Sequence, residues 1–206
     1  MKVYTVYPYG FGSNGYIITS DDKQALVIDP SSSRVEKELD RLGLTPAFVL
    51  LTHCHFDHVA GVESLQRRGA KVLCSAEEKQ LVGTVADLHG LFGAPSPQYK
   101  VDQTFTDGEE LTLCGIAIKC LLTPGHTAGS ACYFMQKDGD RVLFTGDTLF
   151  MDSVGRTDFP TGNLEQLRQS LKKLIALEGD MPVYAGHQEQ TTLQREREYN
   201  PFVLDA

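Results

Sequence analysis

Seven consecutive residues, Thr52-His53-Cys54-His55-Phe56-Asp57-His58, constrain this chain more than any other stretch. They place three imidazoles and a carboxylate directly after the apolar run Ala47-Phe48-Val49-Leu50-Leu51, which reads as a strand. The following Val59-Ala60-Gly61-Val62 opens a predicted helix that runs to about Arg68 and stops at Gly69. His53 and His55 are two apart, so on extended chain they project to the same side. Asp57 and His58 fall where the chain turns, so they aim elsewhere and stay close. One loop therefore offers two pairs of metal ligands, in a mixture of imidazole and carboxylate that suits zinc, iron or manganese.

A solvated polar loop would account for that segment but not for the remaining histidines. Of six in the chain, three lie here, and two more each follow a glycine, in Thr123-Pro124-Gly125-His126 and Ala185-Gly186-His187. Asp147 sits the same way in Thr145-Gly146-Asp147-Thr148, after a strand predicted over Arg141–Phe144. Agreement of spacing and context across four segments points to a metal centre. Cys54 would face away from His53 and His55 into packing. The sixth histidine, His89, receives no ligand role.

The 206 residues suit one domain, residues 1–206, long enough to bury ~70% of its unfolded surface without disulfides. The five cysteines are scattered and odd in number, which predicts reduced, buried thiols. The start, Met1-Lys2-Val3-Tyr4-Thr5-Val6, alternates as a strand does and does not read as a signal peptide, so a cytoplasmic location is expected. No apolar run has transmembrane length. A net charge of −8 argues against a nucleic-acid binder. The expected partner is a small-molecule substrate, with no nucleic acid and no membrane; assembly as a homo-oligomer is left open.

Strands are predicted at Lys2–Tyr7, Tyr16–Thr19 and Ala25–Ile28, with turns at Gly10–Gly15 and Ser20–Lys23. A helix capped by Ser33 runs through Leu42 to a stop at Gly43. Lys71–Ser75 returns as a strand, and Glu77–Leu81 begins another helix. Residues from Gly83 to Lys100 are irregular and read either as a surface connection or as a flap over the site. Further strands are predicted at Leu111–Leu113 and Ile116–Leu122, then a hairpin of Ala131–Met135 and Val142–Phe144 through Lys137-Asp138-Gly139-Asp140. Leu164–Leu177 is the clearest helix. A strand at Met181–Ala185 and a helix from Thr191 to Tyr199 close the series. Each half runs strands, ligand loop, helix, which suggests two packed sheets with helices outside.

With these motifs in order, the chain resembles the metallo-β-lactamase superfamily, and within it the glyoxalase II-like branch of single-domain hydroxyacylglutathione hydrolase-like proteins. The resemblance rests on the Thr52–His58 motif, Thr123-Pro124-Gly125-His126-Thr127, Gly146-Asp147-Thr148-Leu149-Phe150 and Gly186-His187, and Ile28-Asp29-Pro30 resembles the family's early aspartate. It implies an α/β fold, a four-layer αβ/βα sandwich with the metals at the edge where the sheets meet. It implies that His53, His55 and His126 form a first site, Asp57, His58 and His187 a second, and Asp147 a bridge. The implied cofactors are two divalent metal ions, zinc first, with iron or manganese as the other candidates. Seven nitrogen and oxygen ligands exceed one tetrahedral zinc and fit two metals sharing a carboxylate.

Gly155-Arg156-Thr157-Asp158-Phe159 and Glu198-Tyr199-Asn200-Pro201-Phe202 resemble both the single-domain glyoxalase II-like hydrolases and the persulfide dioxygenases of that branch. The true β-lactamases are judged less similar, because they are exported. The implied activity is hydrolysis of a thioester such as S-lactoylglutathione by a metal-bound hydroxide, with Asp57 as a catalytic residue that both ligates and orients the nucleophile. The alternative is a mononuclear iron persulfide dioxygenase using His53, His126 and Asp147; a non-catalytic metal-binding module is the third. Asp29 is a candidate partner of a ligand histidine. Arg156 is a candidate substrate contact or, paired with Asp158, a tie within its own loop.

Overall fold

Period-two alternation along the strands decides the architecture. The structure, a computed structural model, describes residues 1–206 apart from Tyr9, Phe11, Asp22 and Pro97. The first sheet has the order β1 (Lys2–Val6), β2 (Gly15–Thr19), β3 (Gln24–Ile28), β4 (Thr45–Leu50), β5 (Lys71–Ser75) and β6 (Gln103–Phe105). It is antiparallel through β3 and parallel from β3 to β6. The connections carry α1 (Ser33–Leu42), α2 (Phe56–Val59), α3 (Val62–Arg67), α4 (Ala76–Lys79), a 3₁₀ turn at Val85–Asp87 and α5 (His89–Phe92).

The second sheet contains β7 (Glu110–Leu113), β8 (Ile116–Leu122), β9 (Ala131–Lys137) and β10 (Asp140–Gly146). A small ribbon of β11 (Leu149–Phe150) and β12 (Ser153–Val154) and then α6 (Leu164–Ile175) lead to β13 (Pro182–Ala185), which pairs parallel with β10. β14 (Thr191–Thr192), α7 (Leu193–Tyr199) and α8 (Pro201–Leu204) finish the chain.

The faces sort cleanly. Tyr16, Ile18, Leu26, Ile28, Leu50 and Leu73 of the first sheet meet Ile116, Ile118, Cys120, Tyr133, Met135 and Phe144 of the second in one core between the sheets. Their strand neighbours Ile17, Val27, Val49, Val72 and Cys74 turn the other way, against Val35 and Leu39 of α1 and Val62 and Leu65 of α3. Cys132, Leu143 and Val183 of the second sheet turn outward against Leu171 and Leu174 of α6. The result is the four-layer αβ/βα sandwich expected from the sequence.

The sheets are also stitched by hydrogen bonds at one edge. The Tyr16 hydroxyl of β2 donates to the Ala185 carbonyl of β13 at 2.5 Å, and the Tyr133 hydroxyl of β9 donates to the Leu51 carbonyl. The Ala131 amide donates to the Thr52 carbonyl at 2.9 Å. Loops leaving the carboxyl ends of β3, β4, β8, β10 and β13 therefore gather at this edge.

Several boundaries differ from the sequence reading. The α1 cap is Ser32, whose side chain accepts from the Arg34 amide, not Ser33; the Gly43 stop stands, at φ 68°. The helix predicted over Val59–Arg68 is two helices, broken at Ala60-Gly61. Gly61 packs its amide onto the Pro30 carbonyl at 2.6 Å, and a Cβ there would sit 2.9 Å from the Pro30 and Ser32 oxygens. The hairpin through Lys137-Asp138-Gly139-Asp140 forms as predicted, with Asp138 and Gly139 both at positive φ. Strand β6 was not anticipated. The predicted turns at Gly10–Gly15 and Ser20–Lys23 include Phe11 and Asp22, and the irregular stretch includes Pro97, all outside the described residues.

Candidate metal centre

Extended chain through Thr52–Cys54 puts His53 and His55 on one side, with ring centroids 4.5 Å apart, and Cys54 on the other, fully buried. The chain then enters α2, whose first turn carries Asp57 and His58. His126 arrives from the turn after β8, Asp147 from the turn after β10, and His187 from the turn after β13. All seven predicted ligand residues meet. The donor atoms of His53, His55 and His126 lie within 4.8 Å of one another, and so do those of Asp57, His58 and His187. Asp147 lies between the groups. Its Oδ1 is 3.4 Å from His58 Nε2, and its Oδ2 is 3.5 Å from both His126 Nε2 and His187 Nε2.

The partners of the rings fix which nitrogen is free. Thr52 Oγ1 donates to Asp29 Oδ2 at 2.5 Å, so it accepts from His53 Nδ1, 3.1 Å away. His58 Nδ1 donates to Asp29 Oδ2 at 2.9 Å, and His126 Nδ1 donates to the Arg156 carbonyl at 2.7 Å. His53 Nε2 is left with its lone pair aimed into the shared space; His126 Nε2 accepts from His55 Nδ1 at 2.9 Å, which leaves His55 Nε2 free, and His58 Nε2 faces Asp147 Oδ1. His53 Nε2, His55 Nε2, His58 Nε2 and Asp147 Oδ1 are buried with no hydrogen-bond partner. An unpaired buried polar atom costs about 1–3 kcal/mol; His53 Nε2 and His55 Nε2 have no partner, and His58 Nε2 and Asp147 Oδ1 have only each other at 3.4 Å, which packing alone does not explain. Cations accepting those lone pairs would offset the cost. The donor set therefore fits two metal ions: His53, His55 and His126 could hold one, Asp57, His58 and His187 the other, with Asp147 reaching both.

The electrostatics agree. Burial pushes the His53 imidazole well below its ordinary value and the His55 imidazole down to about 3, so both stay neutral and able to ligate. Burial would also lower His58, but Asp147 and Asp57 outweigh it and hold that imidazole high. Asp57 and Asp147 stay below the carboxylate range despite burial, because of the imidazoles around them. The same carboxylates attract whichever cation, proton or metal, sits among them.

Asp29 belongs to another class of residue. It lies within ligand distance of His53 and His58, but its oxygens are already taken by the Thr52 amide at 2.8 Å, the Thr52 hydroxyl and His58. It braces the loop, as the sequence suggested. Arg156 and Asp158 pair through two hydrogen bonds of 2.6 and 2.5 Å, which is the loop tie, and Arg156 Cζ sits 3.9 Å from the Phe159 ring centroid.

Glu78 was missed by sequence reasoning. It is fully buried at the start of α4, where it accepts from the Cys54 amide at 2.8 Å and from the Thr127 hydroxyl at 2.7 Å. It thus ties the His53–His58 loop to the His126 loop. Burial pushes its carboxyl up while Thr127 and Cys54 draw it back. The one local clue is Ser75 three residues before it, whose hydroxyl accepts from the Glu78 amide. The stretch Gly83–Lys100, read from sequence as either a surface connection or a flap, contains the 3₁₀ turn Val85–Asp87 and α5 and supplies Leu88 and Phe92 to the cleft above the centre. His89 lies 3.1 Å from Asp87, away from the cluster.

Comparison with known proteins places this geometry. The metallo-beta-lactamase superfamily pattern matches residues 8–187. The chain is 35% identical to the hydroxyacylglutathione hydrolase GloC of Haemophilus influenzae, over 98% of both chains. Among solved structures it is similar to the BLEG-1 B3 metallo-beta-lactamase, with a TM-score of 0.91 and 32% identity over 98% of this chain and 99% of that one. It is also similar to TTHA1623 in a di-iron-bound form, with a TM-score of 0.83 and 30% identity over 97% and 99%.

Proposed function

Because the chain belongs to the metallo-beta-lactamase superfamily and has hydroxyacylglutathione hydrolase relatives, we propose that it is a metal-dependent thioester hydrolase of the glyoxalase II-like type. The observation that supports this best is the set of buried, unpartnered imidazole nitrogens around Asp147. His53, His55 and His126 would hold one divalent ion and Asp57, His58 and His187 a second, with Asp147 within reach of both. Zinc comes first on ligand chemistry, and the di-iron relative keeps iron in view. Bound ions lower the pKa of water to about 7 and polarise a carbonyl oxygen, which supplies hydroxide and charge stabilisation at neutral pH.

The protein's own groups do the rest. Asp57, held as a carboxylate, accepts a hydrogen bond from the attacking water and points its lone pair. His187 Nε2 stands 3.3 Å from Asp57 Oδ2, so the two side chains point at one space. Asp29 and Thr52 keep the His53 and His58 rings turned with Nε2 inward. A thiol leaves as thiolate at a pKa of ~8.5, so the cleft needs no strong acid beside the leaving group.

Hydrolysis of S-lactoylglutathione or a related thioester by the metal-loaded protein tests the reading, with loss on chelation and in His55→Ala. Absence of turnover with every acyl-thiol would refute it. One iron per chain together with oxygen uptake on glutathione persulfide would select the dioxygenase alternative. The B3 likeness supports a second hydrolytic reading, β-lactam opening, which a chromogenic cephalosporin tests directly.

A further inference from the structure

The cleft above the donor cluster, about 670 Å³, has an uneven lining. Phe56 and Phe92 stack with centroids 4.9 Å apart, and Phe159 meets Phe92 edge-on at 6.0 Å. Phe159 in turn stands 6.0 Å from the His55 ring, so this aromatic wall begins beside the first donor group. Phe92 is 53% exposed, an unusual state for a phenylalanine that already has ring partners on two sides. It stands on α5, directly after Leu88, a leucine held at φ 64°. A leucine in the left-handed region is strained, and that strain sits where the cleft wall is built.

The opposite feature is charge. Among the described lining residues Arg156 is the sole Lys or Arg. Its guanidinium gives two of its five N–H groups to Asp158 and one face to Phe159, and its side chain stays 55% exposed. Glutathione carries two carboxylates and an ammonium away from its sulfur. A wall of phenylalanines leaves those carboxylates one cationic side chain among the described lining residues, and Asp158 competes for it.

We infer that the cleft selects thioesters whose acyl arm is uncharged and apolar, an aryl or arylalkyl group laid against Phe92 and Phe159, and that it prefers them to glutathione thioesters. This rests on the hydrolase reading above. Water adds to the acyl carbon, the carbon–sulfur bond breaks, and an apolar carboxylic acid and a thiol leave, with one proton released on ionisation of the acid. The aromatic wall touches the arm that does not react, so it sets which ester is held and leaves the bond-breaking groups untouched.

The test compares phenylacetyl and glutaryl thioesters of N-acetylcysteamine with S-lactoylglutathione, using the metal-loaded full chain. The phenylacetyl ester should exceed both others in kcat/KM by about tenfold or more, a ratio that burial of one apolar group can supply. Phe92→Ser, at a half-exposed position the fold tolerates, should cut the phenylacetyl-to-glutaryl ratio about fivefold, mainly through KM. A higher kcat/KM for S-lactoylglutathione or the glutaryl ester overturns the inference and leaves the hydrolase standing. Saturation-transfer NMR with phenylacetate and glutarate decides the matter even if no thioester is turned over, an outcome that removes the hydrolase reading alone. Transfer to phenylacetate that Phe92→Ser abolishes upholds the aromatic subsite; equal transfer to glutarate, or none to either, overturns it.

Discussion

The two halves of the donor cluster are built by different means. The first half delivers His53, His55, Asp57 and His58 from one continuous loop, and that loop is braced from below by buried carboxylates. Asp29 holds Thr52 and His58, and Glu78 holds Cys54. The second half delivers His126, Asp147 and His187 from three separate turns, one side chain each, and every one follows a glycine. Gly146, at φ 48°, presses against the Thr52 side chain, and a Cβ on Gly186 would run into Asp147 Oδ1 and His58 Cε1. A loop carrying many donors needs hydrogen bonds to aim them. A turn carrying one donor needs the backbone itself to come close, and only glycine allows that approach.

The contrast predicts that damage to the glycine-seated half is abrupt and damage to the braced half is graded. Gly186→Val should be the most severe change. Its side chain has no space beside Asp147 and His58, so metal content should fall by at least one ion per chain and activity by about a hundredfold or more, read by elemental analysis and turnover. Retention of full metal content would break the comparison. Asp29→Ala removes the partner of His58 Nδ1 and should weaken metal affinity about 10–100-fold, measured by competition with a chromogenic chelator, while some activity survives at saturating metal.

Glu78→Ala leaves the Cys54 amide and Thr127 hydroxyl without their buried acceptor, and should destabilise the fold by about 2–4 kcal/mol in denaturant unfolding. Glu78→Gln keeps an acceptor for Cys54 and should cost about 1 kcal/mol or less. Equal damage from both would mean that charge, not hydrogen bonding, is what the loops require. Asp158→Ala is the mildest. It breaks an exposed ion pair, so the thermal midpoint should not move, and any change should appear in KM alone.

The same contrast explains what the sequence could reveal. His53, His55, Asp57 and His58 are legible because their relation is local: strand periodicity and a turn aim them. His126, Asp147 and His187 are legible as Gly-His, Gly-Asp and Gly-His pairs, although the reason for the glycine lies in Thr52, His58 and other distant atoms. Glu78 is illegible because its meaning resides in partners 24 and 49 residues away. The break at Gly61 is hidden for a similar reason, since it answers to Pro30 and Ser32 across the layer. Phe92 looks like an ordinary loop aromatic until Phe56 and Phe159 come beside it. Layer order was readable from the alternating apolar positions, whereas strand β6 is three residues long with one buried side chain and leaves almost no pattern.

The proposed function depends on seven side chains closing around two cations. Elemental analysis of the full chain purified without added metal, repeated on His55→Ala and His187→Ala, tests that most directly. Two metal ions per chain are expected in the parent protein and a loss of occupancy in each variant, with folding retained by circular dichroism. A well-folded parent that binds no metal even after incubation with zinc or iron, or variants whose metal content equals the parent's, would contradict it.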